Sequence, residues 1–148
     1  MSRGILDGVR VLDLTNVLAG PFCTMHLALM GAEVIKIENP KDGDLARKLG
    51  ILPELNEKLM GTSFLAQNAN KKSVTLNTKS PEGKELFKEL VKTADVLVEN
   101  FRPDVMKRDS ATTSSGRSTR AWCTAPSPAS GRRGRTRSSR PTTRSSRA

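Results

Sequence analysis

Lys71, Lys72, Lys79, Arg102 and Arg108 fall beside segments that read as strand ends or helix starts. Basic groups in such places suit a phosphorylated, nucleotide-like ligand. Spacing alone favours the competing reading, solvated surface charge. Asp13 closes a β-rich run and is either a catalytic carboxylate at a strand end or, more commonly, a cap for the loop that follows. His26, the only histidine, offers a general base or a helix residue with a local partner, the second role being the more frequent. Cys23 and Cys123 make neither a metal pattern nor a disulfide framework, which fits a reducing compartment. No Gly-x-Gly-x-x-Gly follows the first β-rich run and no Gly-x-x-x-x-Gly-Lys-Ser/Thr occurs, so a standard dinucleotide site and a P-loop are both disfavoured.

These groups need elements to position them. Val9 to Leu14 reads as a strand, Thr15 to Gly20 as a small-residue loop, and Pro21 to Met30 as a helix stopped by Gly31. Within that helix Phe22, Met25 and Leu29 share a face, which predicts packing on a sheet. Val34 to Ile37 is a second strand, and Asn39 to Phe64 an excursion with short helical turns around Leu45–Leu49 and Leu55–Leu59. Ser73 to Leu76 is a third strand. Ser80, Pro81 and Glu82 then supply an N-cap, a first-turn proline and a dipole-matched acid for a helix with the stripe Leu86, Phe87, Leu90 and Val91. Asp95 to Glu99 is a fourth strand. The order β-α-β-(excursion)-β-α-β predicts an α/β, Rossmann-like, mainly parallel doubly wound sheet, incomplete in this chain, with the ligand edge at the strand C-termini.

Charge divides the 148 residues in two. Residues 110–148 hold nine arginines, no acid and no Val, Ile, Leu, Met or Phe, which leaves 16 basic and 15 acidic groups in the first 109. The formal net charge of +10 therefore describes the tail, which is expected to be disordered and without regular elements. The organisation expected is 1–108 as the N-terminal part of a ligand-binding domain and 109–148 as an Arg/Ser/Thr-rich tail. The N-terminus lacks a signal-peptide core, and no run approaches the roughly 20 apolar residues of a spanning helix, so a soluble cytoplasmic protein without membrane contact is expected.

Several motifs stand together and in order: Gly8-Val9-Arg10-Val11-Leu12-Asp13-Leu14-Thr15, Ala19-Gly20-Pro21, Gly31-Ala32-Glu33-Val34-Ile35-Lys36-Ile37-Glu38, Asn70-Lys71-Lys72-Ser73, Leu76-Asn77-Thr78-Lys79 and Val98-Glu99-Asn100-Phe101-Arg102-Pro103. From about Gly4 to Arg108 the chain resembles the family III CoA-transferases of the formyl-CoA and carnitine-CoA transferase kind. The resemblance implies a CoA-binding Rossmann-like fold and an interlocked homodimer. It also implies acyl-CoA and a small carboxylic acid as substrates, with no permanently bound cofactor and no metal. In that family CoA passes from an acyl-CoA thioester to a free acid, and an aspartate carboxylate carries the acyl anhydride and then the CoA thioester. By position, Val17, Leu18 and Ala19 match a first CoA-contacting loop, Asn39 a second point, Leu76, Asn77, Thr78 and Lys79 a third segment, and Asn100, Phe101 and Arg102 a fourth, with Arg108 a further basic contact. Asn39 replaces an arginine and Leu18 a glutamine of formyl-CoA transferases, departures that bear on the formyl/oxalate pair rather than on CoA itself.

The family's nucleophilic aspartate aligns with no residue here, so the isolated chain is expected to be inactive. A slip of reading frame near Lys107 to Asp109 accounts for the tail. Read in the shifted frame, Ala121 to Thr136 can decode as Leu-Val-Tyr-Cys-Ala-Ile-Ser-Gly-Phe-Gly-Gln-Thr-Gly-Pro-Tyr, which resembles the family's continuation. Two other functions compete. One is non-specific nucleic-acid binding through the arginines, although Trp122 is the tail's only stacking residue and no specific nucleic-acid partner is expected. The other is a different Rossmann-type nucleotide enzyme, against which the missing glycine fingerprint counts.

Overall fold

A computed structural model describes residues 4–101 and the strand Ala121–Thr124. Five parallel strands, β1 (Arg10–Asp13), β2 (Glu33–Glu38), β3 (Lys72–Thr75), β4 (Val96–Glu99) and β5 (Ala121–Thr124), form one sheet in the order β3-β2-β1-β4-β5. Helix α1 (Ala19–Leu29) links β1 to β2, and α4 (Pro81–Lys92) links β3 to β4. Between β2 and β3 lie a 3₁₀ turn (Leu45–Lys48), α2 (Pro53–Glu57) and α3 (Thr62–Gln67). The expected β-α-β-(excursion)-β-α-β order is observed, with every pairing parallel.

Period-2 alternation divides the core. Leu12, Leu14, Ile37 and Leu97 face α4 and pack with its Phe87 and Val91, whereas Val11, Val34 and Val98 pack with Ala28 of α1 and Ala32. Apolar side chains on both faces are what a parallel sheet under two helical layers requires. After β3 the chain crosses to the other side of β1, so the C-terminal ends of β1 and β4 bracket the point where strand order reverses.

Local chemistry sets the helix ends. The Ser80 hydroxyl accepts the Gly83 amide at 3.0 Å, with Pro81 in the first turn and Glu82 beside it, as the sequence predicts. At the end of α1, Gly31 takes φ +104° while its amide donates to Ala28 and that of Ala32 to Leu27, a Schellman stop that a left-handed glycine permits.

Three expectations change. Helix α1 does not pack through Phe22, Met25 and Leu29, since Phe22 is 51% and Leu29 56% exposed and its buried residues are Gly20, Pro21, Thr24 and Ala28. The small side chains let the helix lie close on the sheet: a Cβ on Gly20 would stand 2.3 Å from that of Thr15. Likewise Leu86 of α4 faces solvent, leaving Phe87 and Val91 to the core. In the tail, where no element is expected, Ala121–Thr124 extends the sheet beside β4; its Trp, Cys and Thr suit an extended backbone.

Candidate functional site

The loop after β1 is held by side chains from several strand ends. Asp13, fully buried, takes the Thr15 amide at 2.9 Å and the Thr15 hydroxyl on Oδ1, and the Thr24 hydroxyl and Lys71 ammonium at 2.6 and 2.9 Å on Oδ2. Burial would raise its pKa, but the charges of Lys36 and Lys71 and the two hydroxyls outweigh that and hold it below the ordinary carboxylate range. Asp13 is therefore a loop cap and charge hub, the second of its two sequence readings. The Lys36 ammonium donates to the Thr15 carbonyl at 2.8 Å and pairs with Asp44 Oδ2 at 2.8 Å, both side chains being almost wholly buried. The Asn16 amide donates to Asn100 Oδ1 at 3.0 Å, and Asn100 Nδ2 returns a bond to the Asn16 carbonyl at 2.9 Å. Val17, at φ +73°, donates its amide to Asp44 Oδ1 at 3.0 Å.

A second buried group anchors the excursion. Arg47 grips Glu38 with Nε and Nη2, both at 2.7 Å, and its guanidinium lies 3.8 Å from the centre of the Phe64 ring. Ser73 and the Asp44 amide also donate to Glu38. Although burial pushes the Glu38 carboxyl up, the bonds from Arg47, Ser73 and the Asp44 amide bring it down to about 2.

Around these anchors a cavity of about 190 Å³ opens at the C-terminal sheet edge, lined from four strand ends by Asn16, Asn39, Leu76, Asn77, Lys79 and Phe101 among others. The structure thus gathers Asn39, Leu76, Asn77, Thr78, Lys79 and Phe101, all named from the sequence. Val17, Leu18 and Ala19 stand outside that lining, exposed beside Asn16. Asn100 stands outside that lining too, bonded to the Asn16 backbone. Arg102 and Arg108 lie outside the described residues. Lys71 and Lys72 have carboxylate partners of their own, Lys71 against both of its sequence readings and Lys72 in keeping with surface charge. Lys71, its side chain 2% exposed, places its ammonium on Asp13, the Pro21 carbonyl and Asn68, which occupy its three donors. Lys72 turns back to Glu33 at 2.6 Å, at the start of β2. His26 has the local role, with Nδ1 2.9 Å from the Phe22 carbonyl and its ring against Phe22.

A family model described as CoA-transferase family III matches residues 6–117. The chain belongs to CoA-transferase family III. It is 53% identical over 104 residues to a formyl-CoA:oxalate CoA-transferase of Rhodopseudomonas palustris (strain BisA53), covering 70% of this chain and 24% of that one. It is also 53% identical over 98 residues to a Mus musculus succinyl-CoA:glutarate CoA-transferase, covering 66% and 22%. Among solved structures, the hypothetical protein Rv3272 from Mycobacterium tuberculosis superposes with a TM-score of 0.71 at 38% identity over 84% of this chain and 35% of that one. A CAIB/BAIF family protein from Brucella suis gives 0.68 at 30% identity over 83% and 33%. The chain spans about a quarter of the length of the curated relatives it matches. Family III membership fits the Rossmann-like sheet observed.

Residue reasoning on its own did not reach the roles of Asn16, Lys36, Glu38 and Asp44. One signal was present: Lys36 interrupts the β-branched run Val34-Ile35-Lys36-Ile37, and a charge in a strand buried on both faces requires a buried partner. No local rule names Asp44 as that partner.

Proposed function

We propose that the chain supplies part of the CoA-holding wall of an enzyme that moves CoA from an acyl-CoA thioester to a free carboxylic acid. The observation that carries this reading is the convergence of Asn39, Leu76 to Lys79 and Phe101 on one cavity at the C-terminal strand edge. The cavity is smaller than the roughly 300–1,000 Å³ of a complete small-molecule site, which fits a wall for one portion of a CoA-sized ligand. Lys79, exposed at the rim, supplies positive charge for a phosphate, and Phe101, 37% exposed, an apolar surface beside it. Relatives with two different substrate pairs match at the same 53% identity, so the proposal rests on the CoA moiety they share.

The reaction itself needs a free carboxylate as nucleophile. Asp13 and Asp44 pair with the buried ammoniums of Lys71 and Lys36, and Glu38 with the part-buried Arg47, so all three serve the scaffold instead. The isolated chain is therefore expected to bind CoA without exchanging it. In the active enzyme two chains are taken to associate as a dimer, in the reducing interior of the cell. Titration calorimetry with CoA tests the reading, with Lys79→Ala expected to weaken binding by about tenfold, the scale of a charge-assisted hydrogen bond. Absence of CoA binding would remove the proposal, and turnover of an acyl-CoA with a carboxylate by this chain would refute its inactivity.

A further inference from the structure

Val17 is a β-branched residue at φ +73°, a region that such side chains rarely enter without an external restraint. That restraint is visible. Its amide donates to Asp44 Oδ1 at 3.0 Å, across 27 residues of sequence. Asp44 is 1% exposed and is itself fixed on every side: Oδ1 also takes the Ala46 amide at 2.9 Å, Oδ2 meets the Lys36 ammonium at 2.8 Å, and its own amide donates to Glu38 Oε2 at 2.9 Å. Gly43, at φ +64°, makes the turn that delivers it; a Cβ there would stand 2.9 Å from Arg47 Cδ and 3.1 Å from Glu38 Oε2. The first turn of the excursion after β2 thus aims one oxygen at the first loop.

We infer that Asp44 is a positioning residue that holds Val17 in its left-handed conformation and so sets the exposed Val17–Leu18–Ala19 edge for ligand. The ligand half of this inference rests on the CoA reading above. Lys36 secures both members, since its ammonium pairs with Asp44 and donates to the Thr15 carbonyl two residues before Val17. The arrangement couples the conformation of the turn after β2 to the first wall of the site, with no contact required between Asp44 and ligand.

Amide exchange on the full ¹⁵N-labelled chain, without ligand, gives the first test: the Val17 amide is expected to be protected, and free exchange there overturns the inference. CoA titrations of a two-by-two set, Asp44→Ala with and without Val17→Gly, give the second. Glycine takes φ +73° without steric cost, so Asp44→Ala is expected to weaken CoA about tenfold when Val17 is present and markedly less when glycine replaces it. Equal losses in both backgrounds would mean that Asp44 acts elsewhere and would overturn the inference. Asp44→Asn, made together with Lys36→Met so that no ammonium is left buried beside a neutral side chain, retains an acceptor for Val17 and Ala46 and covers the case in which alanine prevents folding. This double variant is expected to retain Val17 protection, and protection lost in it when folded also counts against the inference. If the parent chain fails to bind CoA, the CoA reading and the ligand half fall together, while Val17 protection still decides whether Asp44 sets the loop.

Discussion

Asn100 and the backbone of Asn16 exchange two hydrogen bonds, the Asn16 amide to Oδ1 at 3.0 Å and Nδ2 to the Asn16 carbonyl at 2.9 Å. The pair joins the ends of β4 and β1 where strand order reverses. Asn100→Ala would leave a part-buried donor and acceptor of Asn16 without those partners. A loss of about 1–3 kcal/mol of stability is expected, with CoA binding weakened through the loop. Asn100→Asp keeps the acceptor and loses the donor, so it should fall between alanine and the parent. Chemical denaturation of the three proteins checks the order, and an alanine variant matching the parent would show that the pair holds nothing.

The pH dependence of stability carries opposing signs at two glutamates. Glu38 titrates at about 2 in the folded chain against an ordinary 4.5, so its stabilising contribution is complete above 4.5 and is lost as pH falls towards 2. Asp13, lowered from 3.8, acts in the same direction. Glu99 does the reverse: burial raises it above 4.5 despite the bond from the Phe101 amide, so its contribution is complete below 4.5 and fades as pH rises through its folded value. Thermal unfolding followed from pH 2 upward should show a steep acid limb that Glu38→Gln flattens. Glu99→Gln should leave that limb in place and raise stability near neutrality. An unchanged acid limb in Glu38→Gln would contradict the assignment.

Glycine in a helix is usually improved by alanine, by about 1 kcal/mol. Gly83 is an exception. A Cβ there would lie 1.9 Å from the Asn77 carbonyl oxygen, backbone that cannot swing aside. Gly83→Ala is expected to destabilise the chain, displace the Leu76–Lys79 segment and weaken CoA binding together. Equal stability and affinity in the variant would show that α4 and that segment move independently.

The reading frame offers a prediction outside protein chemistry. We propose that the frame changes near Lys107 to Asp109. The encoding DNA is expected to show a single-base shift there, after which the codons of Ala121 to Thr136, read in the shifted frame, encode the string Leu-Val-Tyr-Cys-Ala-Ile-Ser-Gly-Phe-Gly-Gln-Thr-Gly-Pro-Tyr given above. Codons that cannot yield that string on shifting would end the proposal.

What the sequence revealed was local or periodic. Ser80, Pro81 and Glu82 announced the start of α4 because a cap and its amide lie three residues apart. The strands around Val11, Ile35 and Leu97 were visible from β-branched runs bounded by turns. The packing face of α1 was not. Hydropathy points to Phe22 and Leu29, while close approach to the sheet selects Gly20, Thr24 and Ala28 for being small. Asn39, Leu76 to Lys79 and Phe101, matched to family motifs in separate stretches of sequence, line one cavity in the fold. Lys71 was misread because its ion-pair partner Asp13 is 58 residues away, and sequence spacing cannot distinguish a buried ammonium from a solvated one.

The tethers on Thr15, Asn16 and Val17 also bear on when the loop becomes ordered. Its backbone is anchored by Asp13 at the end of β1, Lys36 in β2, Asp44 at the end of its turn and Asn100 after β4. Those groups reach their places only when the sheet is assembled. The conformational entropy of this loop is therefore lost during folding, before any ligand arrives. Association at this edge proceeds against a surface already set, and the loop's slow opening should follow that of the sheet.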